Sequence, residues 1–154
     1  MDGDWKLPWE GGCRCGEVRY TLALDEMPAT YACHCHQCQR WSGSAFSQNL
    51  FVLEDMLSVT GPIVTFEKVT EDRTSTQRFC GTCHCRIYNT NTRRPGLAVV
   101  RAGTLDRSEE CDCVAHIFTA TKQRWFVLPD GVPSWPEMAP PEAMRDLLSK
   151  HLAR

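Results

Sequence analysis

The sequence predicts a mainly β fold with one short C-terminal helix, on three observations. Apolar residues recur at every second position in several short segments, helical spacing is clear only near the C-terminus, and cysteines gather in tight groups between the segments. Seven of the ten cysteines lie in Cys13-Arg-Cys15, Cys33-His-Cys35-His-Gln-Cys38 and Cys80-Gly-Thr-Cys83, spacings that suit metal ligation.

In chain order, Val18, Tyr20, Leu22 and Leu24 alternate with Arg19, Thr21 and Ala23, a half-buried strand following directly on Cys13 and Cys15. A Phe-rich strand is expected over 44–52. Val59-Thr-Gly-Pro-Ile reads as a turn between two short strands, after which Val64 and Phe66 resume the alternation. Strands run into the third cysteine group over 77–79 and out of it over 86–88, and 97–101 and 114–119 are further strand segments. After a Pro-rich loop, the helix is expected over about 140–152. Pro140 and Pro141 suit a first turn that needs no donor, and Ala143, Met144, Leu147, Leu148 and Leu152 recur at helical spacing as a lid on the sheet.

A chain of 154 residues, 42% hydrophobic, is expected to form a single domain over 1–154. Lys and Arg number 17 against 19 Asp and Glu, with no long basic run, which argues against a nucleic-acid partner. No apolar run approaches the roughly 20 residues that span a bilayer, so no membrane partner is expected. The start, MDGDWKLPWEGG, lacks the charge and apolar pattern of a signal or transit peptide. These features predict a soluble, cytoplasmic protein, where thiols stay reduced and clustered cysteines mean metal or redox chemistry rather than disulfides.

The cysteine count divides naturally. Structural zinc is closed by four protein ligands, whereas catalytic zinc keeps three and an open position. A Cys-x-x-Cys turn supplies only two thiolates, so Cys80 and Cys83 need a second pair, and Cys13 and Cys15 supply it in the simplest scheme. Cys33, Cys35 and Cys38 place three sulfurs within six residues and predict an open three-thiolate site. In extended chain His34 and His36 point away from Cys33 and Cys35, which assigns the histidines to surface or substrate contact; the alternative is that one of them closes the site as Cys3His.

The segments Gly12-Cys-Arg-Cys-Gly-Glu-Val-Arg-Tyr20, Cys33-His-Cys-His-Gln-Cys-Gln-Arg40, Gly43-Ser-Ala-Phe46, Phe79-Cys-Gly-Thr-Cys83, His116-Ile-Phe118, Trp125 and Pro129-Asp-Gly-Val-Pro133 resemble, in order, the glutathione-dependent formaldehyde-activating enzyme family, also called the centromere protein V/Gfa family. The resemblance runs from about Gly11 to Pro133. It implies small antiparallel sheets joined by zinc knuckles, similar to methionine sulfoxide reductase B. It implies two zinc ions per chain: a structural one on Cys13, Cys15, Cys80 and Cys83, and a catalytic one on Cys33, Cys35 and Cys38. The associated reaction is reversible addition of glutathione to formaldehyde, giving S-hydroxymethylglutathione, the work of a carbon-sulfur lyase.

An open zinc position can hold a thiolate or polarise an aldehyde oxygen. Three cysteinates leave the complex negative, which favours delivery of sulfur over Lewis acidity and makes the second zinc comparatively easy to lose: two zinc ions per chain are expected, with room for partial occupancy at the three-cysteine site. Glutathione or its adduct carries two carboxylates, for which Arg40, Lys122 and Arg124 are the expected contacts, with His116 as a proton carrier or a structural histidine. Three departures from the family pattern are visible: His84 where Gly is common, Gln39 where Arg is common, and the additional thiols Cys85, Cys111 and Cys113. A non-catalytic zinc-stabilised binding module is the alternative function, although the centromeric relatives carry a basic extension absent from this sequence. Methionine sulfoxide reduction through Cys85 or Cys113 is a third.

Overall fold

The computed structural model describes residues 8–152, and the side chains as far as 147. The acidic start and the Leu148 and Leu152 side chains, assigned above to the helical face, lie outside the described residues. The chain is mainly β, as its alternation predicts. Strands β1 (Trp9–Gly12), β2 (Arg19–Leu22) and β5 (Leu57–Thr60) form a three-stranded antiparallel sheet in the order β1-β2-β5. Strands β3 (Ala29–Cys33), β4 (Ser47–Leu53), β6 (Ile63–Val69), β7 (Thr74–Cys80), β8 (Arg86–Asn91), β9 (Leu97–Arg101) and β10 (Asp112–Ile117) form a seven-stranded sheet in the order β10-β3-β4-β9-β8-β7-β6.

All its pairings are antiparallel except β10 with β3, which run parallel. A parallel partner needs a long crossover rather than a hairpin. The chain between the two traverses most of the fold, which is why adjacent alternation patterns do not reveal the pairing.

The larger sheet is buried on one face by the smaller. Leu50 and Val52 of β4, Ala98 and Val100 of β9 and Ile87 of β8 pack with Trp9, Tyr20 and Leu22 of the smaller sheet in one apolar cluster. Switching between the sheets occurs at Thr60-Gly61-Pro62, where Gly61 takes a φ of 103° and a Cβ would lie 2.1 Å from the Glu17 carbonyl oxygen. Only glycine fits there.

The opposite face of the same sheet is largely polar. Tyr31, Asn49, Phe51, Gln77, Asn89 and Arg101 lie on it, and the C-terminal helix α2 (Pro141–Leu152) crosses one end, with Met144 buried against Tyr31, Phe51 and Val99. A second helix, α1 (His36–Ser42), corrects the reading of 33–38 as extended chain. Cys35 is its N-cap, with the Cys38 N–H donating to the Cys35 sulfur at 3.4 Å, and Gly43 ends it with a left-handed φ of 63°. Seven residues are too few to register as helical spacing in sequence. Among the described residues no helix is long and apolar enough to cross a membrane.

Candidate metal centre

Two thiol groups assemble, and they partition the seven cysteines as the spacing predicts. Cys13, Cys15, Cys80 and Cys83 bring their sulfurs within 4.8 Å of one another, and so do Cys33, Cys35 and Cys38.

The four-thiol group joins the sheets. Cys13 and Cys15 lie on the turn between β1 and β2, Cys80 ends β7, and Cys83 lies on the turn between β7 and β8. Sulfur separations of 3.4 Å for Cys13 to Cys15 and 3.7 Å for Cys15 to Cys80 approach the roughly 3.8 Å edge of a tetrahedron with Zn–S bonds of about 2.3 Å. Backbone N–H groups of Val18, Thr82 and Cys83 point at the Cys13 and Cys80 sulfurs at 3.3–3.5 Å. Burial opposes the Cys13 thiolate, but the Val18 N–H and the neighbouring thiols outweigh it and lower Cys13 to about 6. Cys15, despite the Glu17 N–H, is pushed by the Cys13 thiol to about 12. The set fits zinc because four thiols this close cannot all ionise without a cation between them.

The other group opens onto space. Cys33 ends β3, Cys35 caps α1 and Cys38 occupies its first turn, so a strand end and a helix start converge on three sulfurs. Thiols of Cys33 and Cys38 hold Cys35 down to about 2, and those of Cys35 and Cys38 push Cys33 far up. One thiolate forms readily and the next are opposed, a conflict that a divalent cation removes. All three sulfur-bearing residues line a cleft of about 1180 Å³ over the polar face of the large sheet.

Neither histidine joins this group. His34 is fully buried on the far side of β3, where its Nε2 meets His116 Nδ1 at 2.9 Å. The expectation of surface or substrate contact for His34 is therefore corrected, because the face opposite Cys33 packs on Phe46 and Phe126. His36 is exposed on α1.

The expected substrate contacts lie outside the large cleft. Arg40 lines a separate shallow depression of about 520 Å³ with His36, Gln39, Gln123 and Trp125. The Lys122 ammonium donates to the Phe126 carbonyl at 2.9 Å, Arg124 is exposed, and His116 is buried beside His34.

Residues that sequence reading missed line the cleft instead. Among the described residues they include six arginines and Lys68, without an aspartate or glutamate. Arg86 and Arg101 stand among them on β8 and β9. The signal available in sequence was Arg101 ending the apolar run Leu97-Ala-Val-Val, a place where a charge needs a reason. Phe118, also on the cleft, holds a left-handed φ of 56°, a strained conformation of the kind that gathers at functional sites.

Two comparisons with known proteins found a similarity. The family described as glutathione-dependent formaldehyde-activating enzyme matches residues 8–121, a segment holding all seven grouped cysteines. A crystal structure of a Rhodobacter sphaeroides protein is similar in fold, with a TM-score of 0.53 at 18% identity over 82% of this chain and 99% of that one. No curated protein matches.

Proposed function

The chain belongs to the glutathione-dependent formaldehyde-activating enzyme family, and from that membership we propose that it is a zinc-dependent carbon-sulfur lyase. Its reaction joins glutathione, or a similar thiol, to a small aldehyde and reverses that addition; with formaldehyde the product is S-hydroxymethylglutathione. The observation that carries this reading is the opening of the three-thiol group, and not the four-thiol group, onto the large cleft.

Cys33, Cys35 and Cys38 would hold zinc through three sulfurs, and Cys13, Cys15, Cys80 and Cys83 would hold a second ion that fastens the sheets. Zinc bound by three protein ligands supplies an open coordination position at which a thiol is kept as its thiolate. The rest falls to the chain. The cleft admits the thiol and aldehyde together, and its arginines offset the negative charge of the thiolates. In the addition a sulfur-carbon bond forms, the carbonyl π bond opens, and the proton lost by the thiol ends on the new hydroxyl. The step is redox-neutral and needs no further reactant. We place this chemistry in the cytoplasm, where the ten thiols stay reduced.

The test is metal content together with exchange NMR of glutathione and formaldehyde, at concentrations where the spontaneous reaction is slow. About two zinc per chain and accelerated exchange that Cys35→Ser abolishes are expected. Full metal loading without acceleration by the wild-type protein sinks the formaldehyde reading and points to other thiol adducts or to a binding module.

A further inference from the structure

Two guanidinium groups in the cleft are positioned by neutral partners. Arg101 donates to the Oδ1 atoms of Asn49 and Asn89, while its buried Nε has no hydrogen-bond partner among the described residues. Arg86 donates from Nε and Nη2 to Gln77 Oε1, at 2.9 and 2.6 Å, and lies 3.9 Å over the Trp41 ring. These amides are themselves buried, with Asn49 2%, Gln77 3% and Asn89 9% exposed. An amide oxygen fixes the direction of a cation without cancelling its charge. The ion pairs found among the described residues, Arg19 with Asp106, Arg93 with Asp72 and Arg107 with Glu110, involve neither arginine.

Such a pair is costly unless an anion joins it. Burial holds Arg86 down to about 9, with Arg101 adding repulsion, and burial lowers Arg101 as well. A guanidinium keeps its proton inside proteins, so the stress must be met by a counter-charge and not by deprotonation. Cys38 acts on both arginines from nearby. Three thiolates around a divalent cation leave one negative charge, the two arginines carry two positive ones, and one positive charge is left over.

We propose that Arg86 and Arg101 form a carboxylate-binding site of the substrate, reading one carboxylate group of a thiol adduct through paired N–H donors. This rests on the cleft being where the adduct binds. A planar carboxylate matches the fork of donors that a guanidinium presents, and a buried charge-assisted pair discriminates strongly against a neutral group. Two sources offer that chemistry: a terminal carboxylate of glutathione, or a carboxylate on the aldehyde.

Isothermal titration of the zinc-loaded protein separates them without relying on turnover. S-methylglutathione, which has no thiol to ionise, is compared with its two monoamides and with S-carboxymethylglutathione, a mimic of the adduct of a carboxylated aldehyde. If glutathione supplies the carboxylate, one amidation weakens binding to the wild type by about 10- to 100-fold and has no further effect in Arg101→Gln. If the aldehyde supplies it, the carboxymethyl compound binds the wild type at least about 10-fold more tightly than the methyl one, and Arg101→Gln removes that gain. Arg86→Gln, at a less enclosed position, repeats the comparison should Arg101→Gln fold poorly. Wild-type binding indifferent to all these carboxylates overturns the site, as does a preference that survives in both folded variants. Because the ligands cannot react, a protein inactive toward formaldehyde can still pass, and an active one can still fail.

Discussion

His34 Nε2 and His116 Nδ1 stand 2.9 Å apart, so one nitrogen of the pair donates and the other accepts. Phe46 and Phe126 pack on both rings, Cys113 Sγ lies 3.8 Å from the other nitrogen of His116, and His34 Nδ1 has no partner among the described residues. Burial, followed by the neighbouring His116, holds His34 down to about 4. These histidines are a neutral tie between β3 and β10, with the Cys33 sulfur on the other face of β3. His34→Gln is expected to keep the metal content of the wild type while costing about 1–3 kcal/mol of stability through a weakened buried hydrogen bond. Metal analysis beside thermal melting decides it. Loss of one metal would show instead that His34 closes the three-cysteine group.

Much of this arrangement was legible in the sequence, and the exceptions share a physical cause. Local signals sufficed for the cysteine partition and the C-terminal helix, because knuckle spacing and helical periodicity are properties of consecutive residues. Long-range placement was not local. Arg86 and Asn89, three residues apart on β8, both reach the cleft because the pairing of β7 with β8 shifts at Arg78/Phe79, and strict alternation hides such a shift. Arg40, adjacent in sequence to the cysteine group, is carried by α1 to a different surface. Proximity along the chain overstated its claim, and the arginines of β8 and β9 were invisible until the sheet was assembled.

The two thiol groups should differ sharply in what they contribute to folding. Cys80 is fully buried within the apolar cluster and ties β7 to the turn between β1 and β2, so its metal would close a loop spanning much of the chain. Cys35 caps a seven-residue helix at the edge of an open cleft. Cys80→Ser is expected to lose more than about 4 kcal/mol, enough to leave much of the protein unfolded, and Cys35→Ser no more than about 1 kcal/mol. Urea unfolding of both variants with metal analysis tests the contrast; equal losses would count against separate structural and catalytic roles.

His84 holds a φ of 60° directly after the second knuckle, its N–H donating to the Cys80 carbonyl at 2.9 Å. The left-handed conformation explains the glycine that the family commonly carries at this position, and histidine is among the side chains that tolerate it best. Relief of strain by glycine is partly offset by the greater freedom of the unfolded chain. The expected order of stability, read from thermal melting, is therefore glycine equal to or slightly above histidine, with His84→Val lowest by about 1–3 kcal/mol. A valine variant as stable as wild type would mean that the turn relaxes to another conformation.

Gln39 shows how a departure from the family pattern is absorbed. Its Nε2 donates to the His34 and Thr121 carbonyls at 2.7 and 2.8 Å, and its Oε1 accepts from Gln123 Nε2 at 2.8 Å, so one side chain ties α1 to the segment 119–123. Thr121 Oγ1 reinforces the tie by donating to the His34 carbonyl at 2.9 Å. An arginine here could donate to the carbonyls but could not accept from Gln123. Gln39→Ala removes all three bonds and should cost about 1–3 kcal/mol, expressed as faster proteolysis after Lys122 and Arg124, while Gln39→Arg should recover part of that loss. Because Cys35 and Cys38 ride on the same helix, Gln39→Ala should also loosen metal at the three-cysteine group and not at the other. Retention of both metals against a chelator at wild-type rates would show that α1 is held by the cysteines alone.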